Sequence, residues 1–220
     1  MRGIEQIPRL YDALMWVLDR VALGRWRRSL LAPVAEAGPR PPLLLDLGCG
    51  TGRNLPLAAP GTRAIGMDPD EGMLRAARRR APGVPLVRAR AEALPFRDDA
   101  FQVVVSSLVF CSVDDPGRGL GEVARVLAPG GTLRMLEHVR PRSRAGAWLA
   151  GRVQPAWTLL AGGCRPDRDT EAAVREAGFR IAPASLRSRW ILRRLDASPE
   201  EGGSPAPRSP GPRPPGLPSR

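Results

Sequence analysis

Short, mostly apolar runs alternate with longer mixed segments along most of the chain. The runs are apolar at consecutive positions rather than at every second one, a pattern typical of strands that are covered on both faces. They predict strands at 43–47, 63–67, 84–88, 101–107 and 132–138, and the intervening segments predict helices at 53–59, 70–80 and 117–127. This alternation predicts an α/β fold with a parallel sheet and right-handed crossovers.

The pattern changes on both sides of this region. After an Arg-, Trp- and Gly-containing stretch at 140–168, a helix is predicted at about 170–177, ended by Gly178, followed by short strands near 179–186 and 189–195. Before the sheet, apolar residues at helical spacing predict an amphipathic helix with one apolar face; they are Leu10, Ala13, Leu14, Val17, Leu18 and Val21. Three roles are open for it: a lid over a ligand, an interfacial anchor, or a cover for the core.

The predicted organisation is an N-terminal lid-helix region at 1–40, one α/β domain at 41–196 and a tail at 197–220. The tail is mainly Pro, Gly, Ser and Arg, and we expect it to be disordered because it lacks the apolar residues that would offset its ordering entropy. No window approaches the ~18 apolar residues of a membrane span. The first residues include Glu5 and form no apolar segment, so we expect no secretory signal.

The charge and the cysteine content limit which partners, metals and cellular compartments we expect for the protein. The net charge is +12, and all 34 basic residues are arginine. Either the protein binds nucleic acid or an anionic membrane surface, or the whole genome is biased toward Arg, Ala, Pro and Gly. We expect no nucleic-acid partner, because the arginines are not interleaved with aromatic residues. Cys49, Cys111 and Cys164 show neither metal-ligand spacing nor a disulfide framework, which predicts no metal and favours a reducing cytoplasm.

A glycine-rich segment follows the first predicted strand. Asp46 lies in that strand, and Gly48, Gly50 and Gly52 follow it. Glycines let the backbone turn sharply and leave no side chain between the main chain and a ligand. The spacing Gly-x-Gly-x-Gly differs from the Gly-x-Gly-x-x-Gly of dinucleotide dehydrogenases. A second acid, Asp68, ends the next strand, 22 residues after Asp46, where an acid can accept hydrogen bonds from ribose hydroxyls.

This segment resembles motif I of the class I S-adenosylmethionine-dependent methyltransferases. Three later segments resemble the family in the same order: 69–77, 91–96 and 125–133. The resemblance runs from about Tyr11 to about Leu195, and is nearest to the quinone-biosynthesis and small-molecule branch. It implies a Rossmann-like, doubly wound, seven-stranded sheet, mostly parallel with an antiparallel edge hairpin.

The resemblance also implies S-adenosylmethionine as the cofactor and assigns residues to it. The three glycines would let the backbone approach the methionyl portion, Asp46 would orient the loop or reach the amino group, and Asp68 would bind the ribose. The remaining implied cofactor contacts are Thr51, Met73, Ala91, Glu92 and Ser107. Arg90 departs from the family pattern, in which Asp or Asn binds the adenine amino group, because arginine has no acceptor. We expect Ala91 or Glu92 to serve instead, with Arg90 stacked on the adenine as an alternative.

The single histidine, His138, ends the fifth predicted strand. Because an unperturbed imidazole titrates near physiological pH, we expect it to act either as the general base toward the methyl acceptor or as a structural residue. Cys111 is expected to be a small buried residue.

Several short segments resemble a narrower subgroup that includes animal membrane-associated thiol methyltransferases and bacterial homologues. They are 110–113, 136–139 and 162–164, with Trp148, Trp157, Arg168 and Thr170. The subgroup implies a small, apolar acceptor, either a quinone-type carbon or a thiol, with a lipid amine as a third option. Two alternatives are a catalytically silent cofactor-binding protein and a nucleic-acid methyltransferase. Peripheral membrane contact is compatible with the helix and its arginines, and the sequence indicates no oligomeric state.

Overall fold

The computed structural model describes residues 7–33, 41–139, 143, 146, 148, 150–152, 154, 164, 165, 167–189 and 191–200. Within them, one mixed sheet forms the centre of the molecule. Its strands are β1 (Leu43–Leu47), β2 (Arg63–Asp68), β3 (Leu86–Arg88), β4 (Phe101–Ser107), β5 (Leu127–His138), β6 (Phe179–Ile181), β7 (Arg187–Arg189) and β8 (Leu192–Pro199).

The strand order is β3-β2-β1-β4-β5-β8-β6, and β7 pairs with β8 outside this path. Strands β1 to β5 pair in parallel, whereas β8 is antiparallel to both β5 and β6. The chain order reverses between β1 and β4, and such a switch point opens a ligand crevice at the carboxyl ends of the strands. The predicted Rossmann-like α/β sheet is confirmed, with β7 as a short strand beyond the seven predicted.

Helices cover both faces of the sheet. They are α1 (Pro8–Leu18), α2 (Gly24–Leu30), α3 (Glu71–Arg80), α4 (Pro116–Val126) and α5 (Thr170–Glu176), and a π-helical segment at Asp19–Leu23 joins α1 to α2. Alternate strand residues point to opposite faces: Leu45 and Val104 pack on the side of α4 and α5, while Leu44 and Val105 pack beneath α1 and α2.

The predicted helix at 53–59 is wrong. This segment forms turns and one 3-10 turn at Leu55–Leu57. Pro60 follows closely, and a residue before proline is disfavoured in the α conformation, so the segment has no room for a longer helix. The predicted strand at 179–186 is likewise reduced to β6, because Pro183 begins a 3-10 turn and β7 starts only at Arg187.

The predicted boundary between domain and tail lies too early. Strand β8 continues to Pro199, with Ala197 paired to Leu133 and Ser198 paired to Arg180. A composition-based boundary at 197 missed these pairs because backbone hydrogen bonds do not require apolar side chains. The remaining predicted tail at 201–220 lies outside the described residues, as do 1–6, 34–40, Trp157 and Gly162–Gly163.

Helix α1 is amphipathic as predicted, but its predicted apolar face lies in solvent. Exposed side chains on it include Leu10, Leu14 and Val17, and Val21 in the π-helical segment that follows is 65% exposed. Its inward contacts come from Met15, which is buried, from Tyr11 and Leu18, which pack half-buried against the core, and from polar residues described below. Among the described residues, no helix is long and apolar enough to cross a membrane.

Candidate cofactor and acceptor site

The glycine-rich loop connects β1 to the crevice with three residues at positive φ. Gly48, Gly50 and Gly52 have φ of 63°, 54° and 76°. A Cβ on Gly48 would lie 2.5 Å from a Val109 methyl, and one on Gly52 would lie 3.0 Å from the Ala77 backbone. A Cβ on Gly50 would meet nothing closer than the Tyr11 ring, at 3.8 Å. Packing therefore demands two of the glycines, and Gly50 is the one that lies beside open space.

Asp68 ends β2 as predicted and holds the loop. Its two carboxylate oxygens accept the N–H groups of Gly50 and Asp70, each at 2.9 Å. Burial raises the pKa of Asp68, although both N–H groups act in the opposite direction. Each carboxylate oxygen has a second lone pair, so Asp68 can still accept ribose hydroxyls.

Asp46 lies fully buried at the base of the loop. Its Oδ1 accepts from Asn54 Nδ2 at 2.7 Å, and Arg27 Nη1 donates to Asn54 Oδ1 at 2.7 Å. Burial raises the pKa of Asp46 to about 7, against the lowering effects of Asn54 and Arg27. Its Oδ2 has no hydrogen-bond partner among the described residues. An unsatisfied buried acceptor is costly, and an ammonium group of a ligand would satisfy it, so the site fits the implied cofactor.

Helix α1 contacts the loop through charged groups. Asp12 accepts from Thr51 Oγ1 and from Arg80 Nη2, each at 2.7 Å, and Arg53 Nη2 donates to Asp19 at 2.6 Å. The Thr51 hydroxyl is thus bound to the N-terminal region and to α3, and its predicted contact with the cofactor stays a prediction. These contacts hold α1 and the segment after it against the loop, and the predicted lid role stays a prediction.

The adenine side contains the departure from the family pattern. Arg90 forms an ion pair with Asp114 and a longer one, at 3.5 Å, with Glu92. Glu92 also accepts the Asp114 N–H at 3.2 Å, so it fixes the approach to α4. Met73 and Ala91 are buried. The adenine contacts predicted for Met73, Ala91 and Glu92, and stacking by Arg90, stay predictions.

A buried glutamate holds the turn after β4. Glu137 Oε1 accepts from Ser106 Oγ at 2.7 Å and from the N–H groups of Val109 and Phe110 at 3.0 and 3.2 Å. Burial raises the pKa of Glu137. The turn includes Leu108 at a φ of 61°, which is rare for a branched residue without compensating contacts. The turn lies at the carboxyl end of β4, where Leu108 and Val109 are half-buried and Phe110 is buried.

Ser107 ends β4 beside that turn. It is buried, and its hydroxyl accepts from Arg27 Nη1 at 3.4 Å. The site residue predicted at the strand end is therefore connected to α2 through Arg27, and its contact with the cofactor stays a prediction.

His138 ends β5 and faces two thiols. Its Nδ1 lies 3.5 Å from Cys164 Sγ and 3.9 Å from Cys111 Sγ. Both cysteines are buried and His138 is half-buried. The sequence predicted no such cluster, because the three residues are far apart along the chain and match no metal-ligand spacing.

Sequence reasoning also missed Arg27, Asn54 and Glu137. Arg27 is one of a group of helix arginines, and only the fold distinguishes it from its exposed neighbours Arg25 and Arg28. Asn54 and Glu137 could have been found by their positions, since one directly follows the glycine-rich loop and the other directly precedes His138.

Comparison with known proteins gives a coherent set of relatives. A family model described as a methyltransferase domain matches residues 45–135. A thiol S-methyltransferase of Homo sapiens is 36% identical over 163 residues, which is 70% of this chain and 67% of that protein. A demethylmenaquinone methyltransferase of Thermus thermophilus is 41% identical over 144 residues, 62% of this chain and 64% of that protein. A second thiol S-methyltransferase, of Rattus norvegicus, is covered over 59% of its length, so the chain spans about three fifths to two thirds of these relatives.

Solved structures share the fold. An S-adenosylmethionine-dependent methyltransferase of Thermotoga maritima has a TM-score of 0.68 at 22% identity, covering 90% of this chain and 98% of that one. A [4+2]-cyclase has a TM-score of 0.64 at 18% identity, covering 91% and 98%. Because the same fold carries different chemistry, these likenesses establish architecture and leave the reaction to the site.

Proposed function

The chain belongs to the class I S-adenosylmethionine-dependent methyltransferases, and from that membership we propose that it methylates the sulfur of a small, apolar thiol. S-adenosylmethionine, when bound, supplies an activated methyl group on a sulfonium sulfur. The chain's own task is then to bind, orient and desolvate, which is how a protein assists a cofactor that carries the reactive group.

Four features of the chain suit the cofactor. Asp68 offers carboxylate oxygens to the ribose, Asp46 offers its unsatisfied Oδ2 to the amino group, and Gly50 leaves the main chain open. Met73 and Ala91 supply buried apolar surface for the adenine. The unsatisfied Oδ2 carries this assignment, because among the described residues it is the one buried acceptor without a donor that lies at the base of the glycine-rich loop.

The acceptor side is apolar, with Leu108, Val109 and Phe110 in the turn that Glu137 holds. A thiol ionises near pH ~8.5, so its thiolate forms at neutral pH without a strong base. The general-base role of His138 stays a prediction, and since Nδ1 faces the two cysteines, a proton would have to be accepted at Nε2.

The observation that favours a thiol acceptor is the share of this chain that aligns with a thiol S-methyltransferase. The human thiol S-methyltransferase aligns over 70% of this chain, against 62% for the demethylmenaquinone methyltransferase of Thermus thermophilus. The latter is the more identical of the two, at 41%, and this supports a quinone-type carbon acceptor as the second candidate. Both acceptors are small and have an apolar body.

Methyl-transfer assays with mass-spectrometric detection separate these candidates. We expect S-methylated product from small aromatic or alkyl thiols, with formation of one S-adenosylhomocysteine per product, and much less product from Asp68→Ala at the same cofactor concentration. Methylation of a naphthoquinol alone would move the assignment to the carbon acceptor. A protein that binds S-adenosylmethionine and methylates neither class would be the silent cofactor-binding alternative.

We also propose that α1 contacts membrane surfaces peripherally. Leu10, Leu14, Trp16, Val17 and Val21 are exposed on α1 and the segment after it, and the exposed arginines nearby are Arg9, Arg20, Arg25 and Arg28. An apolar face flanked by arginine suits an interfacial helix on an anionic membrane. A surface of this kind would bring the enzyme to apolar acceptors that partition into lipid.

A further inference from the structure

Three side chains that can bind soft metals converge at the carboxyl ends of β4 and β5. Among the described residues, the ligand atoms of Cys111, His138 and Cys164 lie within 4.8 Å of one another. Cys111 comes from the turn after β4, His138 ends β5, and Cys164 precedes α5. The fold thus assembles a cluster from three separate segments, with both sulfurs buried.

The two sulfur–nitrogen distances suit a tetrahedral zinc site. With Zn–S bonds of about 2.3 Å and Zn–N bonds of about 2.0–2.1 Å, a sulfur and a nitrogen ligand are separated by about 3.5 Å. The separations from His138 Nδ1 are 3.5 Å to Cys164 and 3.9 Å to Cys111. The two sulfurs lie within 4.8 Å of each other, against about 3.8 Å for two sulfur ligands of a tetrahedral zinc ion, so binding an ion would draw them together by up to about 1 Å.

The chemistry of the donors selects the metal. Two thiolates and one imidazole suit zinc, whereas magnesium and calcium prefer oxygen ligands. Three protein ligands with an exchangeable fourth position are typical of catalytic zinc sites, whereas structural sites use four protein ligands. His138 is half-buried while both sulfurs are buried, so the imidazole side is where a fourth ligand would approach.

Hydrogen bonds fix the segments that carry these donors. The Arg165 N–H donates to the Cys111 carbonyl at 2.8 Å. Arg168 Nη1 donates to the carbonyls of Phe110 and Val113 at 2.7 and 2.6 Å. The Cys111 segment is thereby held against the Cys164 segment before any metal binds. Support of this kind beyond the ligands orients them in metal sites.

We propose that Cys111, Cys164 and His138 bind one zinc ion, and that its fourth ligand is the thiolate of the acceptor. The second half of this proposal rests on the proposed thiol methyltransferase function. The acceptor thiol loses its proton to solvent when its sulfur binds zinc, because a coordinating thiol is deprotonated. No electrons are transferred in this ligand exchange, in which the thiolate replaces a bound water.

The position of the cluster agrees with that role. Strand β4 separates β5 from β1, and neighbouring strands are about 4.8 Å apart, so the end of β5 lies roughly 10 Å from the start of the glycine-rich loop. A zinc ligand at Nδ1 carries its proton on Nε2, so zinc binding excludes the general-base role of His138. The two roles are alternatives, and metal analysis decides between them.

The test uses the full-length protein with a phosphine reductant and no added thiol. After one equivalent of zinc and gel filtration, we expect about one zinc per chain. Cys111→Ser and Cys164→Ser should each lower zinc retention at least about tenfold. Cys49→Ser is the matched control, because Cys49 is also buried but lies outside the cluster, and it should keep one zinc.

Cobalt in place of zinc reports the ligands without any variant. We expect thiolate-to-cobalt charge-transfer bands and visible bands of tetrahedral intensity, and we expect the visible bands to shift when thiophenol is added. Failure of the wild type to retain zinc, or equal retention by the cluster variants, overturns the site. Cobalt spectra that thiophenol does not change overturn the acceptor role alone. None of these readouts involves S-adenosylmethionine, so they are independent of methyl-transfer activity.

Discussion

Two buried carboxylates beside the glycine-rich loop differ in how their oxygens are satisfied. Asp68 accepts a backbone N–H at each oxygen, whereas Asp46 uses Oδ1 for Asn54 and leaves Oδ2 without a partner among the described residues. Asp68 therefore holds the loop in place, whereas Asp46 can still accept a hydrogen bond from a cation. We therefore expect the two acids to respond differently to a ligand.

The pKa of about 7 for Asp46 predicts pH-dependent cofactor binding. Below this pKa the carboxyl group is protonated, and the cofactor's ammonium group favours the charged form, so binding releases a proton. Arg27, Asn54 and Asp68 are the other groups that set this pKa. Affinity should rise as the pH increases toward 7 and fall again above about pH 8, where an α-amino group loses its own proton.

Calorimetry in buffers of different ionisation enthalpy measures that release. We expect nearly one proton per cofactor at pH 6 and almost none at pH 8.5. In Asp46→Asn this difference should disappear. Equal proton release at both pH values in the wild type would mean that Asp46 does not face the ammonium group.

Arg27 predicts a contrast between two neighbouring arginines. It is buried and donates to Asp19, Asn54 and Ser107, so its removal leaves Asn54 Oδ1 without this donor and leaves Asp19 with Arg53 alone. Arg27→Ala should lower the free energy of unfolding by about 3 kcal/mol. Arg28→Ala, at an exposed position, should change it by less than about 0.5 kcal/mol. Urea denaturation measures the free energy of unfolding of both variants. An equal decrease in the two would show that the buried hydrogen bonds of Arg27 do not stabilise the fold.

At the scale of elements, the sheet could be predicted and the N-terminal helix only in part. Strands such as β1 and β4 are recognisable because burial on both faces demands consecutive apolar residues. The orientation of α1 could not be predicted from periodicity, since its inward face is anchored by Asp12 on Thr51 and Arg80. The cluster of Cys111, His138 and Cys164 could not be predicted from the sequence either, because only the tertiary fold brings those three segments together.

The exposed face of α1 predicts binding to anionic vesicles. Leu14 and Val17 are 43% and 49% exposed, so burying the exposed part of each in lipid would contribute roughly 0.7–1.5 kcal/mol. Leu14→Ser with Val17→Ser should reduce vesicle cosedimentation at least about tenfold and leave the melting temperature unchanged. Leu57→Ser, at a residue 40% exposed outside α1, is the control. Equal vesicle binding by the double variant and by Leu57→Ser would exclude α1 as the contact surface.

At the scale of the whole molecule, β8 joins the antiparallel edge to the parallel sheet. It pairs with β5 on one side and with β6 and β7 on the other. The composition of the last residues predicted a tail that begins at 197. The strand pairing shows that the first three residues of this predicted tail, 197–199, belong to the sheet. The C-terminal limit of the domain is therefore set by the last residues of β8 that pair with neighbouring strands, and the amino-acid composition does not reveal it.

Two truncations test that limit. Ending the chain at Glu200 should leave the free energy of unfolding and cofactor affinity unchanged. Ending it at Asp196 removes the pairs of Ala197, Ser198 and Pro199 and should cost about 2 kcal/mol or more. Chemical denaturation measures both, and equal stability of the two products would show that these pairs do not matter.

Calorimetric titration with S-adenosylmethionine and S-adenosylhomocysteine tests the central claim most directly. At pH 8, where Asp46 is ionised, we expect one molecule of either ligand to bind per chain with micromolar Kd. Asp68→Ala should weaken both at least about tenfold through loss of its ribose contacts, while Asp98→Asn, at an exposed acid, should bind like the wild type. Absence of binding to the folded wild type, or an unchanged affinity in Asp68→Ala, would contradict the cofactor site described here.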